Sequence, residues 1–445
     1  MSLRRIDLRG ITGDLRSALP RPHDEQERSS EAVAEIIADV KARGDAALRG
    51  LTERFDHVVL DELRVPAAEI LAAQERVSPE LRAALQVAHD RILAYHAHEA
   101  PPVDDFESGG ITVSHLTRPV ARAGCYAPGG RARYPSTVLM CAVPARVAGV
   151  AEVVLCVPPG ADGRVDDATL AAAAVAGVDE VYRIGGAQAI AAMAFGTESI
   201  APVDVIVGPG NRYVAEAKRQ VSGIVGVPSA FAGPSEVVVV ADETTPVAWA
   251  AIDLVVQAEH GPDGLAWLVT WSEALAAAVS EAVDDLVRRS PRRAVLEATM
   301  ESGGYAVLVD GPAEALAVAN VVAPEHLELM VEGAEALLPL VRCAGAVFLG
   351  PYAPASVGDY VAGPNHVLPT ARTARFASAL RVDDFRTHIH AVALDGDTLA
   401  LLAPAVATIA EAEGLVAHAE SVRLRAETQP WRVGQDLPLT RDGGR

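Results

Sequence analysis

Aromatic side chains are scarce in this chain of 445 residues, where phenylalanine, tyrosine and tryptophan together make up 4%. Hydrophobic residues nevertheless account for 50% of the sequence, and most of them are alanine, valine and leucine. This composition excludes an intrinsically disordered protein and is typical of a soluble enzyme. The length is sufficient for two or three domains with substantial cores.

Cysteine is also rare, and no two cysteines form a CxxC pair. All four lie in or beside apolar stretches, where buried and unreactive thiols are common: Cys125, Cys141, Cys156 and Cys343. We therefore expect them to have a structural role.

Basic charge is in short supply, because 38 lysines and arginines face 59 acidic side chains. The formal net charge of -21 would repel a phosphate backbone, so a small metabolite is a better partner than nucleic acid. The N-terminus MSLRRIDLRG lacks the apolar segment of a signal peptide. Charged residues interrupt the most apolar later stretches, so we expect no membrane span and a cytoplasmic location.

Short apolar runs alternate with alanine-rich helical stretches from about residue 150 onward, which predicts repeated βα units and parallel sheets. The predicted strands are VAEVVLCVP, EVYRI, VDVIVG, EVVVVAD, LAWLVT, YAVLVD and AGAVFLG. Residues 23–100 are predicted to be mostly helical. The tail after about residue 378 is irregular at first and then helical. The fold class is therefore α/β, with two related lobes.

Two of the predicted strands end in glycine-rich turns, IGGAQAI at residues 184–190 and VGPGNRYVAEAK at residues 207–218. Such turns lie at the carboxyl ends of parallel strands, where ligands bind in open α/β sheets. Neither turn matches the GxGxxG fingerprint of ordinary dinucleotide folds. Nucleotide binding and a plain tight turn both remain open on this evidence.

Possible metal ligands are spread over three segments. In AIDLVVQAEHGPDG, Gln257 and His260 lie three residues apart on one predicted helix face. The pair could bind a metal ion, or it could simply form the polar end of a helix. Asp359 belongs to a second segment, and Glu413 and His418 belong to a third. Zinc binds histidine and carboxylate readily, whereas a glutamine oxygen is an unusual zinc ligand.

The second of these segments, GDYVAGPNHVLPT at residues 358–370, is too rich in glycine and proline to be predicted as a helix. We expect a shaped loop that presents Asp359, Asn365 and His366, and shaped loops often carry function. In APEHLEL, Glu325 directly precedes His326 after a proline. At a helix start or in a loop both side chains could enter a cleft as an acid–base pair, or they could simply mark an exposed helix start.

Taken together, the chain resembles the histidinol dehydrogenase family over nearly its whole length. The motifs that carry the resemblance are GCYAPGGRARYPSTVLM, IGGAQAIAAMAFGT, VGPGNRYVAEAK, AGPSE, QAEHGP, APEHLEL, GDYVAGPNHVLPT and EGLVAH. The resemblance implies a zinc- and NAD-dependent enzyme that oxidises L-histidinol to L-histidine. It also implies a homodimer whose C-terminal tail reaches into the partner's active site.

The resemblance also implies the fold and the domain boundaries. Both lobes are expected to be parallel-sheet lobes similar to the Rossmann fold but without GxGxxG. The expected parts are an N-terminal arm at residues 1–22, a first lobe at 23–120 and 235–377, a second lobe with the NAD-binding turns at 121–234, and a dimer-forming helical tail at 378–445.

Roles for individual residues follow from the resemblance in the same way. The zinc-ligand positions correspond to Gln257, His260, Asp359 and His418. These ligands and His326 also contact the substrate, together with Ser235, His366 and Glu413. The NAD contacts correspond to Tyr126, Gln188 and Asn211, and the acid–base pair to Glu325 and His326.

Two other classes of protein account for part of the sequence. A zinc hydrolase would also use a metal, a glutamate and a histidine, but it leaves GGAQA and GPGN unexplained, and the chain has no HExxH motif. A non-catalytic binding protein would explain the lobes but not the converging bases. Two nitrogen and two oxygen ligands do not rank zinc above manganese or cobalt.

Overall fold

The computed structural model describes residues 3–20, 30–99, 105–129, 133–229, 235–259, 261 and 263–427. They divide into two compact units, the first within residues 1–100 and 119–386, and the second within residues 101–118 and 387–445.

Strands and helices alternate through most of the first unit. In chain order the described strands are β1 (Arg4–Asp7), β2 (Phe106–Ser108), β3 (Ile111–Pro119), β4 (Arg122–Tyr126), β5 (Glu152–Val157), β6 (Glu180–Arg183), β7 (Val205–Val207), β8 (Glu236–Ala241), β9 (Leu265–Thr270), β10 (Gly304–Leu308), β11 (His326–Met330), β12 (Ala346–Leu349) and β13 (Arg386–Leu394).

The described α-helices are α1 (Leu15–Ala18), α2 (Ser30–Arg43), α3 (Asp45–Asp56), α4 (Ala67–Arg76), α5 (Pro79–Glu99), α6 (Pro135–Ala148), α7 (Asp167–Val175), α8 (Gly186–Phe195), α9 (Arg212–Val221), α10 (Val247–Ala258), α11 (Glu273–Arg289), α12 (Arg293–Gly303), α13 (Pro312–Val322), α14 (Ala355–Tyr360), α15 (Gly396–Ala412) and α16 (Val416–Glu427). Short 3-10 helices cover Ala334–Leu340, Thr373–Arg375 and Val382–Phe385.

Two parallel sheets form the first unit, as the alternation of strand and helix predicts. In the described residues the larger sheet has the order β1-β10-β9-β8-β11-β12 and the smaller has the order β6-β5-β4-β7. Strands such as β8, EVVVVA, are buried along their whole length. Burial on both faces explains why these strands are continuous apolar runs rather than alternating ones.

The helices α2 to α5 pack on the smaller sheet. Val33 and Leu48 share one buried cluster with Tyr182 of β6, and Ile70 and Ile92 share another with strands β4 and β5. The sequence analysis grouped residues 23–120 with 235–377 instead. An amphipathic pattern shows that a helix has a buried face, but it does not show which sheet covers that face. The expected N-terminal arm, 1–22, contributes β1 to the edge of the larger sheet.

The second unit contains a small sheet in the order β13-β3-β2, followed by α15 and α16. The sequence analysis placed β2 and β3 in the first lobe, because the pairing of β3 with β13 joins segments more than 250 residues apart and leaves no local pattern. The two helices agree with the predicted helical tail. No helix in the described ranges has both the length and the apolar character needed to cross a bilayer.

Arg122 joins three strands at the amino-terminal edge of the smaller sheet. Its guanidinium donates hydrogen bonds to Glu152 of β5 and Glu180 of β6, and Glu180 also accepts one from the hydroxyl of Tyr182. The side chain of Arg122 is about 10% exposed, so water replaces these bonds poorly if the arginine is removed.

We expect Arg122→Ala to lower the free energy of unfolding by about 2 kcal/mol, because the partners of a partly buried charge lose their hydrogen bonds. Urea denaturation followed by circular dichroism measures the change. The control is Arg43→Ala, which removes an exposed i,i+4 pair with Asp39 and is expected to cost less than about 0.5 kcal/mol. Equal losses from both variants would contradict a structural role for the three-strand contact.

Candidate active site

A cleft in the first unit brings the two parallel sheets together. It has a volume of about 100 Å³. One side is formed by the turn after β7, Gly208–Gly210, and by Lys218 of α9. The other side carries Ser235, Glu325 and His366. The glycine-rich turn and the candidate acid–base residue therefore line the same cavity.

The cleft uses opposite ends of the two sheets. The turn after β7 lies at the carboxyl end of a strand in the smaller sheet, as expected for an open α/β sheet. Ser235 and Glu325 each directly precede a strand of the larger sheet, β8 and β11, and so lie at its amino-terminal edge. The carboxyl-end rule thus holds for one sheet of this site and fails for the other.

Glu325 and His326 are fixed at the start of a central strand. The predicted helix start or loop is wrong for this segment, because His326 is the first residue of β11, paired with β8 on one side and β12 on the other. The carbonyl of Glu325 accepts the amide of Ala346 at 2.9 Å. Both side chains are buried, Glu325 at 8% exposure and His326 at 3%.

The titration of this pair is set by burial and by neighbouring charge. Burial raises the pKa of Glu325 to about 6, although the charge of His326 opposes that shift. Burial alone would lower the pKa of His326, but the charge of Glu325 and a hydrogen bond with Asp359 raise it to about 9. At neutral pH the pair is therefore an imidazolium beside a carboxylate, and the imidazole has to lose its proton before it can act as a base.

Asp359 reaches this pair from α14. Its Oδ1 lies 3.2 Å from Nε2 of His326. The sequence analysis expected the whole of GDYVAGPNHVLPT to be a loop, but its first three residues end the helix Ala355–Tyr360. Gly363, followed by Pro364, comes two residues after the capping residue Val361, so the glycine- and proline-rich composition ends this helix rather than preventing it.

The rest of that segment is a loop, as predicted. Nδ1 of His366 donates to the carbonyl of Asp359 at 2.8 Å, and His366 lines the cleft. Asn365 is buried and donates to the carbonyl of Met140 at 2.6 Å, while its own oxygen accepts the amide of Val367. The amide side chain therefore anchors the loop to α6, and the imidazole beside it is left to face the cleft.

Gln257 is the clearest sign that the site receives another group. The side chain lies near the end of α10 and is 1% exposed, yet neither its oxygen nor its nitrogen has a hydrogen-bond partner in the described residues. An unsatisfied buried amide is costly and calls for a partner. His260 lies outside the described residues. Among those that are described, no three His, Cys, Asp or Glu side chains form a metal cluster.

Ser235 and Glu236 precede and begin β8. The hydroxyl of Ser235 bonds to the carboxylate of Glu325, which in turn accepts the amide of Glu236 at 3.2 Å. Glu236 is fully buried, and neither of its carboxylate oxygens has a hydrogen-bond partner in the described part of the chain. Burial, followed by the charge of Glu325, raises the pKa of Glu236 to about 8.

The three candidate NAD contacts lie along one edge of the smaller sheet. Tyr126 is the last residue of β4, Gln188 lies in the first turn of α8 after β6, and Asn211 follows β7. The hydroxyl of Tyr126 accepts the amide of Gly186 at 3.0 Å, and Asn211 caps α9 by accepting two backbone amides. The turn after β7, at this same edge of the sheet, lines the cleft.

Glycine is required in the turn after β7. Gly208 has a φ of 105°, and a Cβ at this position would lie 2.0 Å from the carbonyl oxygen of Tyr126. The turn therefore packs directly on the end of β4, which holds the backbone close to the cleft.

Glu413 and His418 belong to the second unit. Glu413 ends α15 and His418 lies in the first turn of α16, and both side chains are exposed.

Several buried polar residues of the first unit are absent from the predicted site: Lys218, Glu236, Asp253 and Glu328. The sequence does contain a signal for one of them. In HLELM the strand alternation places Glu328 on the same face as His326, two residues earlier. Recognising that segment as a strand would have revealed it.

Fold and site together define a two-lobed α/β enzyme, in which a glycine-rich turn of one lobe and a buried glutamate–histidine pair at the edge of the other meet at one cleft. Comparison with known proteins gives the particular family. The family model for histidinol dehydrogenase matches residues 19–426. The chain therefore belongs to the histidinol dehydrogenase family.

Curated relatives and a solved structure agree with this membership. The chain is 47% identical over 399 residues to histidinol dehydrogenase of Gluconobacter oxydans, covering 89% of this chain and 92% of the relative. It is 48% identical over 419 residues to that of Synechococcus sp., covering 93% and 96%. The crystal structure of histidinol dehydrogenase from Elizabethkingia anophelis superimposes with a TM-score of 0.91 at 35% identity, covering 95% of this chain and 98% of that one.

The position of Asp359 depends on its neighbour Gly358. A Cβ on Gly358 would lie 2.5 Å from two carbons of the Phe348 ring, and that ring stacks against His326 with centroids 6.0 Å apart. We expect Gly358→Ala to push α14 away from β12 and to lower turnover with histidinol about 10-fold to 100-fold.

The matched control is Gly50→Ala in α3, where a Cβ meets no atom within 4 Å in the described structure. This change is expected to leave turnover unchanged and to raise stability by about 0.5–1 kcal/mol through helix propensity. Steady-state NADH formation and thermal unfolding measure both effects. Full activity of Gly358→Ala would contradict the dependence of Asp359 on this close contact.

Proposed function

We propose that this protein oxidises L-histidinol to L-histidine by way of L-histidinaldehyde, using two NAD and one water, as the last step of histidine biosynthesis. The observation that carries the proposal is the shared cleft of about 100 Å³, which is lined by the turn at Gly208–Gly210 as well as by Glu325 and His366. Hydride transfer requires a cofactor site and a proton-transfer site to meet in this way.

Zinc is the metal that we propose for the site. Gln257, His260, Asp359 and His418 are the proposed ligands, and the unsatisfied buried amide of Gln257 fits such a role. When bound, zinc would hold the imidazole and amine of histidinol as a Lewis acid, so that the primary alcohol stays free to react. Ser235, His366 and Glu413 complete the proposed set of substrate contacts.

His326 is the proposed base in both oxidations. In its neutral form, its imidazole takes the proton from the alcohol in the first oxidation and from the hydrated aldehyde in the second. A cation bound to Asp359 would favour that neutral form, because the charge of Asp359 is one of the causes that raise the pKa of His326. A buried ring stacked near Phe348 and bonded to Asp359 has a fixed orientation, which a proton acceptor needs. NAD, when bound, would accept the hydride from the substrate carbon in each oxidation.

Glu325 is the proposed activator of the water that adds to the aldehyde. Its carboxylate lies 3.7 Å from Nδ1 of His326 and lines the cleft. With a pKa raised to about 6 by burial, it is mostly ionised at neutral pH and can accept a proton from water.

NAD is proposed to bind on the side of the cleft formed by the smaller sheet, at Tyr126, Gln188 and Asn211. These residues follow three different strands at one edge of that sheet. Positively charged Lys218 lines the same side of the cleft as Gly208–Gly210. A cation beside a glycine-rich turn at the carboxyl end of a strand favours the phosphates of a dinucleotide.

A cytoplasmic homodimer with shared active sites completes the proposal, so that Glu413 and His418 act on the partner's cleft. The C-terminal helices carry large apolar side chains that are exposed in the single chain, which supports burial against another subunit: Leu401, Ile409, Val416 and Leu424. An active monomer of the wild-type protein would argue against the shared site.

The function is tested by anaerobic incubation of the zinc-loaded protein with L-histidinol and excess NAD. We expect two NADH and one histidine per histidinol consumed. One NADH with accumulating aldehyde would contradict the second oxidation and the role of Glu325. No NADH from metal-replete protein would contradict the proposed function and favour a hydrolase or a binding protein.

We expect His326→Ala to lower turnover about 100-fold to 10,000-fold, because a positioned general base contributes that much to the rate. The zinc content should stay at the wild-type level, since His326 is not among the proposed ligands. The control is His98→Ala on the exposed surface of α5, which should leave turnover unchanged. Wild-type turnover of His326→Ala would remove this residue from the role of base.

A further inference from the structure

Two buried carboxylates outside the proposed acid–base pair face each other next to the site. Asp253 lies on α10 and Glu328 on β11, with side chains 9% and 2% exposed. Neither has a role in the reaction proposed above. Two buried acids in contact are costly, so their position requires a compensating function.

Glu328 holds the beginning of the helix that carries Asp359. Its Oε1 accepts the amide of Ala355, the first residue of α14, at 2.8 Å in a buried bond. His326 lies two residues earlier on the same strand face and bonds to Asp359 near the end of the same helix. Strand β11 therefore contacts this one short helix at both ends.

Asp253 connects Glu328 to α10, the helix that carries Gln257. Asp253 and Gln257 are four residues apart on α10, so they lie on the same helix face one turn apart. The carboxyl group of Asp253 bonds to that of Glu328. The pair thus links α10, β11 and α14, which carry Gln257, His326 and Asp359.

The bond between two acids needs one proton, since two carboxylates repel each other. The hydrogen bond raises the pKa of Glu328 and lowers that of Asp253, so the carboxyl of Glu328 carries the hydrogen and donates it to the carboxylate of Asp253. Burial, followed by the charge of Asp253, raises the pKa of Glu328 to about 8, and burial raises the pKa of Asp253. Near neutral pH the pair therefore retains a proton.

We propose that Asp253 and Glu328 are positioning residues, which fix the helices bearing Gln257 and Asp359 relative to each other and so set the geometry of the metal ligands. This inference rests on the proposed function, because the ligand roles of Gln257 and Asp359 belong to it. Neither acid touches the substrate. Both act through the ligands that they hold in place.

The test compares variants that break the pair with variants that keep its hydrogen bond. Asp253→Ala and Glu328→Ala break it. Asp253→Asn keeps it, because an amide N–H can donate to the Glu328 carboxylate without a shared proton. Glu328→Gln also keeps the bond to Ala355 and can donate to Asp253.

Two readouts are needed, the zinc dissociation constant from competition with a chromogenic chelator and the kcat of the zinc-saturated enzyme. We expect both alanine variants to bind zinc about 10-fold to 100-fold more weakly, as is usual when a partner of a metal ligand is lost. Both amide variants should stay within about 3-fold of wild type, since they preserve the hydrogen bond.

The matched control is Asp242→Ala, at the carboxyl end of β8. Asp242 is also buried and also accepts backbone amides, those of Thr244 and Glu332, but it lies at the opposite end of the strand from Glu236. It should lower the melting temperature without changing the zinc dissociation constant. A loss of zinc affinity that merely follows lost stability would therefore appear in the control as well.

The outcomes separate this inference from the function on which it rests. If wild type binds zinc and forms NADH but the alanine variants bind zinc with unchanged affinity, the positioning role is wrong and the function stands. Amide variants as weak as the alanine variants would also overturn it, because the hydrogen bond would then not matter. If wild type binds no zinc and forms no NADH, the proposed function fails, and the inference fails with it.

Discussion

The site depends on the pairing of strand β11 with neighbours on both sides. His326 is held in register with Val237 of β8 and Ala346 of β12, so its backbone has little freedom. A side chain on a central strand is more precisely placed than one on a loop, and Glu325 directly before it gains from the same restraint. His326 then bonds to Asp359, and Glu328 accepts the amide of Ala355. These two hydrogen bonds fix both ends of α14, a helix of only six residues, against the strand.

Several acidic side chains are buried at or near the amino-terminal edge of the larger sheet, which costs free energy of folding. Glu236, Glu325 and Glu328 are all buried, and burial is the largest cause of the raised pKa in each. Such a site favours a proton or a cation over further negative charge. The same feature that costs stability therefore suits the proposed metal ion and the proposed proton transfer, and such a compromise is common at functional sites.

The sequence predicts the parts of this protein that depend on local pattern. Buried parallel strands such as β8 are continuous apolar runs, and the helical tail has caps and length. Strand β11 was missed because HLELM is not a continuous apolar run like the other predicted strands, and the proline before it suggested a helix start or a loop. The partners of α2 to α5, and the pairing of β3 with β13, were missed because they are set by contacts distant in the chain, which leave no local period.

The same limit applies to the predicted site residues, because sequence pattern alone does not show which of them meet. Glu325, His326, Asp359 and His366 come together in the first unit, because strand ends and one loop converge there. Asn365 shows how an amide in the same motif can have a different task, since it anchors the loop to the carbonyl of Met140. Residue type and spacing identify which groups are available for chemistry. Only the fold decides which of them face the cleft, because the amino end of one sheet meets the carboxyl end of the other there.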